Sequence, residues 1–302
     1  MSLKDTPQVP ISSALPLPAE AEERWLAAAD GERIFYRYWP GEPGQPTVVY
    51  FHGIEGHGAW FAGTAAYLNA LGMSVYVPDR RGAGRNTQER GHLASCAQLL
   101  GDMDLMLAAA RRENRQEPLF VVANCWGAKA AVLLAGKQPA ARHRLAGLVL
   151  TSPAVAVKID ADLKTKLTIG LAWLCGSKRK FAIPLSAEMF TDNPVYLEFI
   201  RQDRLRLTEA TASFFATSTI LTFFAGAAAA SVSIPLLVLQ SGRDRIVCVD
   251  GVARWFQRVG VKDKTLRMFP EAEHSLDFDA RPDAYLQTLA DWLLERSRRQ
   301  SR

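Results

Sequence analysis

Cys125 stands between an apolar run, Phe120-Val121-Val122-Ala123, and an alanine- and leucine-rich stretch at residues 128–134. β-Branched and aromatic residues before it favour a strand, and the alanines after it favour a helix. Ala123 and Gly127, two positions to either side, are small enough for the sharp strand-to-helix turn that exposes a nucleophile. A free cysteine is most often a small buried hydrophobe. What changes that reading is the order of the groups that follow. Asp244, in Ser241-Gly242-Arg243-Asp244, comes after the apolar run 236–239, and His274, in Glu271-Ala272-Glu273-His274, comes after the run 266–269. Nucleophile, acid and histidine in that order, each at a strand end, are the parts of an acyl-transfer site: the imidazole moves the thiol proton and the carboxylate orients the imidazole. Asp250 is the rival acid, but it lies near an expected helix start, where an N-cap role is natural. Asp277 and Asp279 read as loop or capping carboxylates. His52 is expected to hydrogen-bond its own turn, and His57, His92 and His143 have no partner pattern of a base.

These side chains need a sheet to hold them. Residues 25–39 read as a hairpin around the turn signal Asp30-Gly31. Apolar runs at 48–51, 75–77, 119–122, 148–150, 236–239 and 266–269 then alternate with helical stretches such as 99–112 and 282–296, which predicts an α/β fold with a mostly parallel central sheet flanked by helices. Between 153 and 233 this rhythm stops. Strands are not expected there, and 163–176, 194–206 and 208–230 read as helices, predicting an inserted helical lid at 154–233 over the carboxyl edge of the sheet. The core is then 23–153 with 234–302, and 1–22, rich in proline, serine and alanine, reads as a flexible tail.

Composition narrows the function class. The chain has 302 residues, a formal net charge of +5 and four cysteines without metal-ligand or disulfide-scaffold spacing. No metal and no cofactor are expected, and a reducing cytoplasmic location fits best. The basic clusters, including Arg80, Arg81, Arg85 and Arg90, have no nucleic-acid motif beside them, so nucleic acid is excluded and an acidic protein partner remains open. The N-terminus lacks a signal-peptide pattern. Residues 214–232 come closest to a membrane span but are interrupted by serine and threonine, so none is expected.

The runs His52-Gly53-Ile54-Glu55-Gly56-His57 and Asp79-Arg80-Arg81-Gly82-Ala83-Gly84-Arg85, the cysteine turn, and the Asp244 and His274 loops together resemble the α/β-hydrolase family, in its monoacylglycerol lipase and lysophospholipase-like branch. The resemblance implies Cys125 as nucleophile, Asp244 as acid and His274 as base, with the backbone N–H groups of Ile54 and Trp126 as the oxyanion hole. His52, Gly53, Glu55 and Trp60 are then expected near the substrate. Two departures stand out: Ala123 replaces the first glycine of the family's box, and cysteine replaces serine. Cysteine-type dienelactone hydrolases and aminoacyl-shuttle transferases are similar in the second respect.

Sulfur directs the expectation further. From a tetrahedral intermediate a thiolate departs more easily than an alkoxide, so a cysteine enzyme suits thioesters and activated esters. The leading expectation is an acyl or aminoacyl transferase working between thioesters on CoA, phosphopantetheine or an acidic carrier protein. The alternatives are a thioesterase or carboxylesterase and a non-catalytic binding protein of the same fold.

Overall fold

The computed structural model describes residues 21–159 and 161–300. The tail expected at 1–22 lies outside the described residues except for its end, where Glu22 already opens the first strand. Strands β1 (Glu22–Ala27) and β2 (Arg33–Trp39) form the expected hairpin, with Gly31 at φ 85° in its turn. After them come β3 (Thr47–Phe51), α1 (Ala62–Ala70), β4 (Ser74–Pro78), α2 (Cys96–Glu113), β5 (Leu119–Asn124), α3 (Gly127–Leu134), α4 (Lys137–His143) and β6 (Leu145–Thr151). The later part holds α5 (Leu163–Leu174), β7 (Lys180–Ala182), α6 (Pro194–Gln202), β8 (Glu209–Thr211), α7 (Ala212–Ala227), β9 (Leu236–Ser241), α8 (Val249–Gln257), β10 (Lys264–Phe269) and α9 (Asp283–Gln300).

Eight strands make one sheet in the order β1-β2-β4-β3-β5-β6-β9-β10, antiparallel at β1–β2 and β2–β4 and parallel from β4 to β10. Strands β3, β4, β5, β6 and β9 are buried at every position, as their unbroken apolar runs require when helices cover both faces. The strand order reverses beside β3, so the loops leaving the carboxyl ends of β3 and β5 border a crevice, and those after β9 and β10 reach the same edge.

Between β6 and β9 the chain forms α5, α6 and α7, as the pattern predicts, but strands do not vanish: β7 and β8 pair antiparallel. Each is only three residues long, too short for a period to show in the sequence. Residues 212–231 are long and apolar enough to cross a membrane by length and composition alone, with an 18-residue window at a mean hydropathy of 1.5. The interrupting serines and threonines lower hydropathy too little to prevent it. In this structure the stretch lies against the core, with Phe214, Thr217, Leu221 and Ala225 of α7 buried and Phe223 and Phe224 facing outward.

Candidate active site

β5 ends at Asn124 and delivers Cys125 at φ 48°, a left-handed conformation that a non-glycine residue adopts at a cost of about 1–2 kcal/mol. The turn is held by Cys125 N–H donating to the Thr151 carbonyl at 2.9 Å, and by the Cys125 carbonyl accepting from Ala154 N–H at 2.9 Å. Small residues are required around it. A Cβ on Gly127 would lie 2.5 Å from the His52 carbonyl oxygen, and one on Gly53 would lie 3.3 Å from the Cys125 Cβ. Gly53 and Gly127 thus let the loop after β3 close against the start of α3. Ala123, the departure noted above, is fully buried within β5 and paired with Phe51 and Leu150.

Asp244 and His274 come together from the loops after β9 and β10. His274 Nδ1 lies 2.8 Å and 2.9 Å from the two Asp244 carboxylate oxygens. The acid is itself fixed: Oδ1 accepts from the Ile246 and Val247 amides at 2.9 and 2.7 Å, and Oδ2 accepts from Ser241 Oγ at 2.9 Å and Gln240 Nε2 at 3.2 Å. Burial opposes charge on Asp244, but His274 and these amides outweigh it and hold the carboxyl below its ordinary range. Burial likewise opposes charge on His274, yet Asp244 and then Cys125 prevail and the imidazole is pushed up to about 10. Its Nε2 is buried without a completed hydrogen bond, and Cys125 is the thiol close enough to act on the ring. Ser152 Oγ donates to the His274 carbonyl at 2.7 Å, and Phe190 packs edge-on against the imidazole at 5.8 Å between centroids. Asp250, the rival acid, is exposed in the first turn of α8.

Among the described residues neither the Ile54 nor the Trp126 amide N–H has a hydrogen-bond partner, so both are free to donate to an oxyanion. The four residues expected near the substrate behave differently from one another. Gly53 touches the elbow. His52 is a brace: Nδ1 donates to the Gly53 carbonyl at 2.8 Å and Nε2 accepts from Arg80 N–H at 2.7 Å, leaving no ring nitrogen for a substrate. Burial and then the Arg80 charge lower its pKa to about 3, which keeps the ring neutral. Trp60 is a packing residue, buried against Phe190 and Phe278 with its indole N–H donating to Asp203 at 2.7 Å. Glu55 is buried and paired with Arg206, which donates to Oε2 at 2.7 Å, while its Oε1 has no partner. Burial raises its carboxyl to about 7 although Arg206 pulls the other way.

Sequence reasoning missed several contributors. Ser241, Gln240 and Ser152 seat the acid and the histidine, and Phe190 covers the imidazole. Asp203 receives both Trp60 and His57 Nε2, the latter at 3.0 Å. Ser241 and Gln240, three and four positions before Asp244, were placed closely enough in sequence to be found.

A family model described as serine aminopeptidase, S33, matches residues 42–281. The monoacylglycerol lipase of Mycolicibacterium smegmatis is 24% identical over 277 residues, covering 90% of this chain and 96% of its own. A putative monoglyceride lipase of Schizosaccharomyces pombe is 24% identical over 281 residues, covering 88% of this chain and 72% of its own. Among solved structures, a soluble variant of monoglyceride lipase from Saccharomyces cerevisiae aligns with a TM-score of 0.82 at 17% identity, covering 97% of this chain and 99% of that one.

Proposed function

The chain belongs to the serine aminopeptidase S33 family of α/β-hydrolases, and from that premise we propose that it hydrolyses thioesters or activated carboxylic esters through an acyl-Cys125 intermediate. The observation that carries the reading is the arrangement of three groups: a thiol on a left-handed turn, an imidazole whose Nε2 is otherwise unpartnered beside it, and a carboxylate that fixes the opposite nitrogen.

The chemistry follows from that arrangement. His274, pushed up to about 10, already holds the Cys125 proton on Nε2 when sulfur attacks the carbonyl carbon, and the Ile54 and Trp126 amides hold the resulting oxyanion, each donor worth roughly 3 kcal/mol. Asp244 keeps the proton of Nδ1 in place throughout, so the accepting nitrogen always faces the reaction. The intermediate collapses with loss of the leaving thiolate or alkoxide, which takes its proton from Nε2. Water then attacks the acyl-cysteine, giving its proton to Nε2, and release of the acid restores the thiolate.

Hydrolysis is preferred over the transfer between thioesters expected from sequence. Family membership and the lipase relatives support hydrolysis, and transfer between carriers finds no support among them. Sulfur supports a restriction on substrate, because a plain alkyl ester loses the competition between departing alkoxide and departing thiolate. The helices between β6 and β9 serve in this reading as a lid that limits water, with Phe190 its contact to the histidine.

Incubation with p-nitrophenyl butyrate or butyryl-pantetheine, followed by intact-protein mass spectrometry, tests the proposal. The expected result is a butyryl adduct mapping to Cys125, absent in Cys125→Ala, that decays to butyrate at a rate unaltered by added thiol acceptors. Decay that instead tracks the acceptor concentration reinstates transfer. Unchanged turnover in Cys125→Ala overturns the cysteine mechanism altogether.

A further inference from the structure

Two cations are buried beside the nucleophile without a carboxylate. Arg80, 91% buried, stacks its guanidinium 5.0 Å above the Trp126 ring and 4.9 Å above the Phe214 ring. Its NH2 nitrogen donates to the Ile54 carbonyl at 3.1 Å, its NH1 nitrogen donates to the Arg81 carbonyl at 3.3 Å, and its buried Nε has no partner. Lys129, in the first turn of α3, is 96% buried, and its ammonium donates to Ser218 Oγ at 3.2 Å. That hydroxyl also accepts from the Trp126 indole N–H at 2.8 Å. Both cations are therefore gathered around Trp126, the residue that follows Cys125.

The neighbouring acids are committed elsewhere. Asp79 accepts from the Gly58 and Arg85 amides at 2.7 and 2.8 Å and pairs with Arg37, while Asp102 takes Arg81 in a two-bonded fork at 2.8 Å. Carbonyls and aromatic faces offset part of the Arg80 charge, but a hydroxyl shared with an indole offsets little of the Lys129 charge. Burying a cation without an anion is costly, and here it is done twice around one indole. A cavity of about 30 Å³ lies on the Arg80 side of Trp126, lined also by Asp79 and Asp102 and not by Lys129.

We infer that the ester or thioester substrate carries an anionic group, a carboxylate or a phosphate, received by Arg80 and Lys129 as its carbonyl meets Cys125. The inference rests on the reading of Cys125 as nucleophile and adds to it the charge class of the substrate. Two features connect the cations to the reacting carbonyl. Arg80 grips the carbonyl of Ile54, whose N–H is one oxyanion donor, and Lys129 is near enough to Cys125 for the two charges to interact. Burial lowers the ammonium to about 8, with Cys125 opposing, so the lysine carries its charge through most of the neutral range.

The test compares iodoacetate with iodoacetamide, which alkylate a thiolate by the same displacement of iodide and differ in charge. Rates are mapped by mass spectrometry at Cys125 and at exposed Cys175 as internal reference. In the wild-type protein the iodoacetate-to-iodoacetamide ratio at Cys125 is expected to exceed that at Cys175 by about tenfold, and to fall toward the reference in Lys129→Met and Arg80→Gln. The wild-type ratio stands whether or not the variants fold. Equal ratios at both cysteines overturn the anion site and leave the nucleophile intact. A Cys125 inert to both reagents overturns the reading beneath it and the inference together. Two substrate pairs locate the charge: p-nitrophenyl hemiglutarate against p-nitrophenyl butyrate places it on the acyl group, and butyryl-CoA against butyryl-pantetheine places it on the leaving group. Preference for the anionic member of either pair supports the inference, and preference for neither overturns it.

Discussion

The sheet edge that carries Cys125, Asp244 and His274 and helix α5, in the segment between β6 and β9, differ in how far they are buried. At the edge, β5, β6 and β9 are buried at every position, and the three loops are pinned by short hydrogen bonds from backbone amides and neighbouring side chains. In the segment above, α5 has no buried residue, and Leu163, Leu167, Leu171 and Leu174 face outward. The rest of that segment is tied to the sheet by packing, with Phe190, Phe199, Ile200, Leu207, Phe214 and Leu221 buried, and by polar contacts: Arg206 to Glu55, His57 and Trp60 to Asp203, and Arg90 to the Leu205 and Arg206 carbonyls at 2.6 and 3.0 Å. The rigid half places reacting atoms, and within the outer half α5, exposed along its length, is the part that can shift without disturbing them.

The sharpest way to break this contrast is to remove one member of the catalytic group. Asp244→Asn keeps the shape but permits the wrong imidazole tautomer, and is expected to lower kcat by about 10⁴-fold. Cys125→Ala is expected to abolish the acyl adduct. A substitution in the outer half, Leu167→Ser, should leave kcat/KM within about threefold. Steady-state kinetics on p-nitrophenyl butyrate decides the matter, and comparable losses in both halves would mean that α5 participates in the chemistry.

Much of the rigid half was legible in the sequence, because a buried parallel sheet writes itself as apolar runs, and because chemistry demands a nucleophile, an acid and a histidine at their ends. Cys125, Asp244 and His274 could be picked out before their distances were known. Contacts between the halves were not legible. Glu55 and Arg206 are 151 residues apart and His57 and Asp203 are 146 apart, and neither pair has a local pattern to announce it. Glu55 and Trp60 were expected near the substrate for their place in the loop after β3. The structure shows that the same place makes them anchors for the segment above. Arg80 read as part of an ordinary basic cluster, since burial without a counter-ion is a property of the packing around it.

Within the sheet, Val121→Ala empties part of a fully buried position of β5 and is expected to cost about 2–3 kcal/mol by urea denaturation. Packing of that kind carries no pH dependence, whereas the polar ties do. The Glu55 carboxyl stands at about 7 in the folded protein against an ordinary 4.5, so between those values the folded state binds its proton more tightly than the unfolded chain. Stability therefore falls as pH rises through that window, by an amount on the order of 2 kcal/mol from this group. Asp277, raised by burial to about 6, adds a slope of the same sign, so the informative quantity is the difference between wild type and Glu55→Gln. That variant should show a flatter change in unfolding free energy between pH 5 and pH 8. An unchanged slope would show that Glu55 does not titrate in this range.

The smallest effect belongs to α5, and it is the most direct probe of how the outer half sits in solution. Leu167 and Leu171 are 67% and 64% exposed, so replacing both with serine removes little apolar surface from any packed contact. Substitutions on such a surface usually change stability by no more than about 0.5 kcal/mol. Their helix propensity falls only slightly, because serine costs a few tenths of a kcal/mol relative to leucine at each position. The double variant should therefore unfold within about 1 kcal/mol of wild type, measured by urea denaturation at a protein concentration low enough to exclude self-association. A loss above about 2 kcal/mol would mean that these leucines are packed against something in the free protein. The contrast between a buried sheet and an open helix would then have to be redrawn with α5 on the buried side.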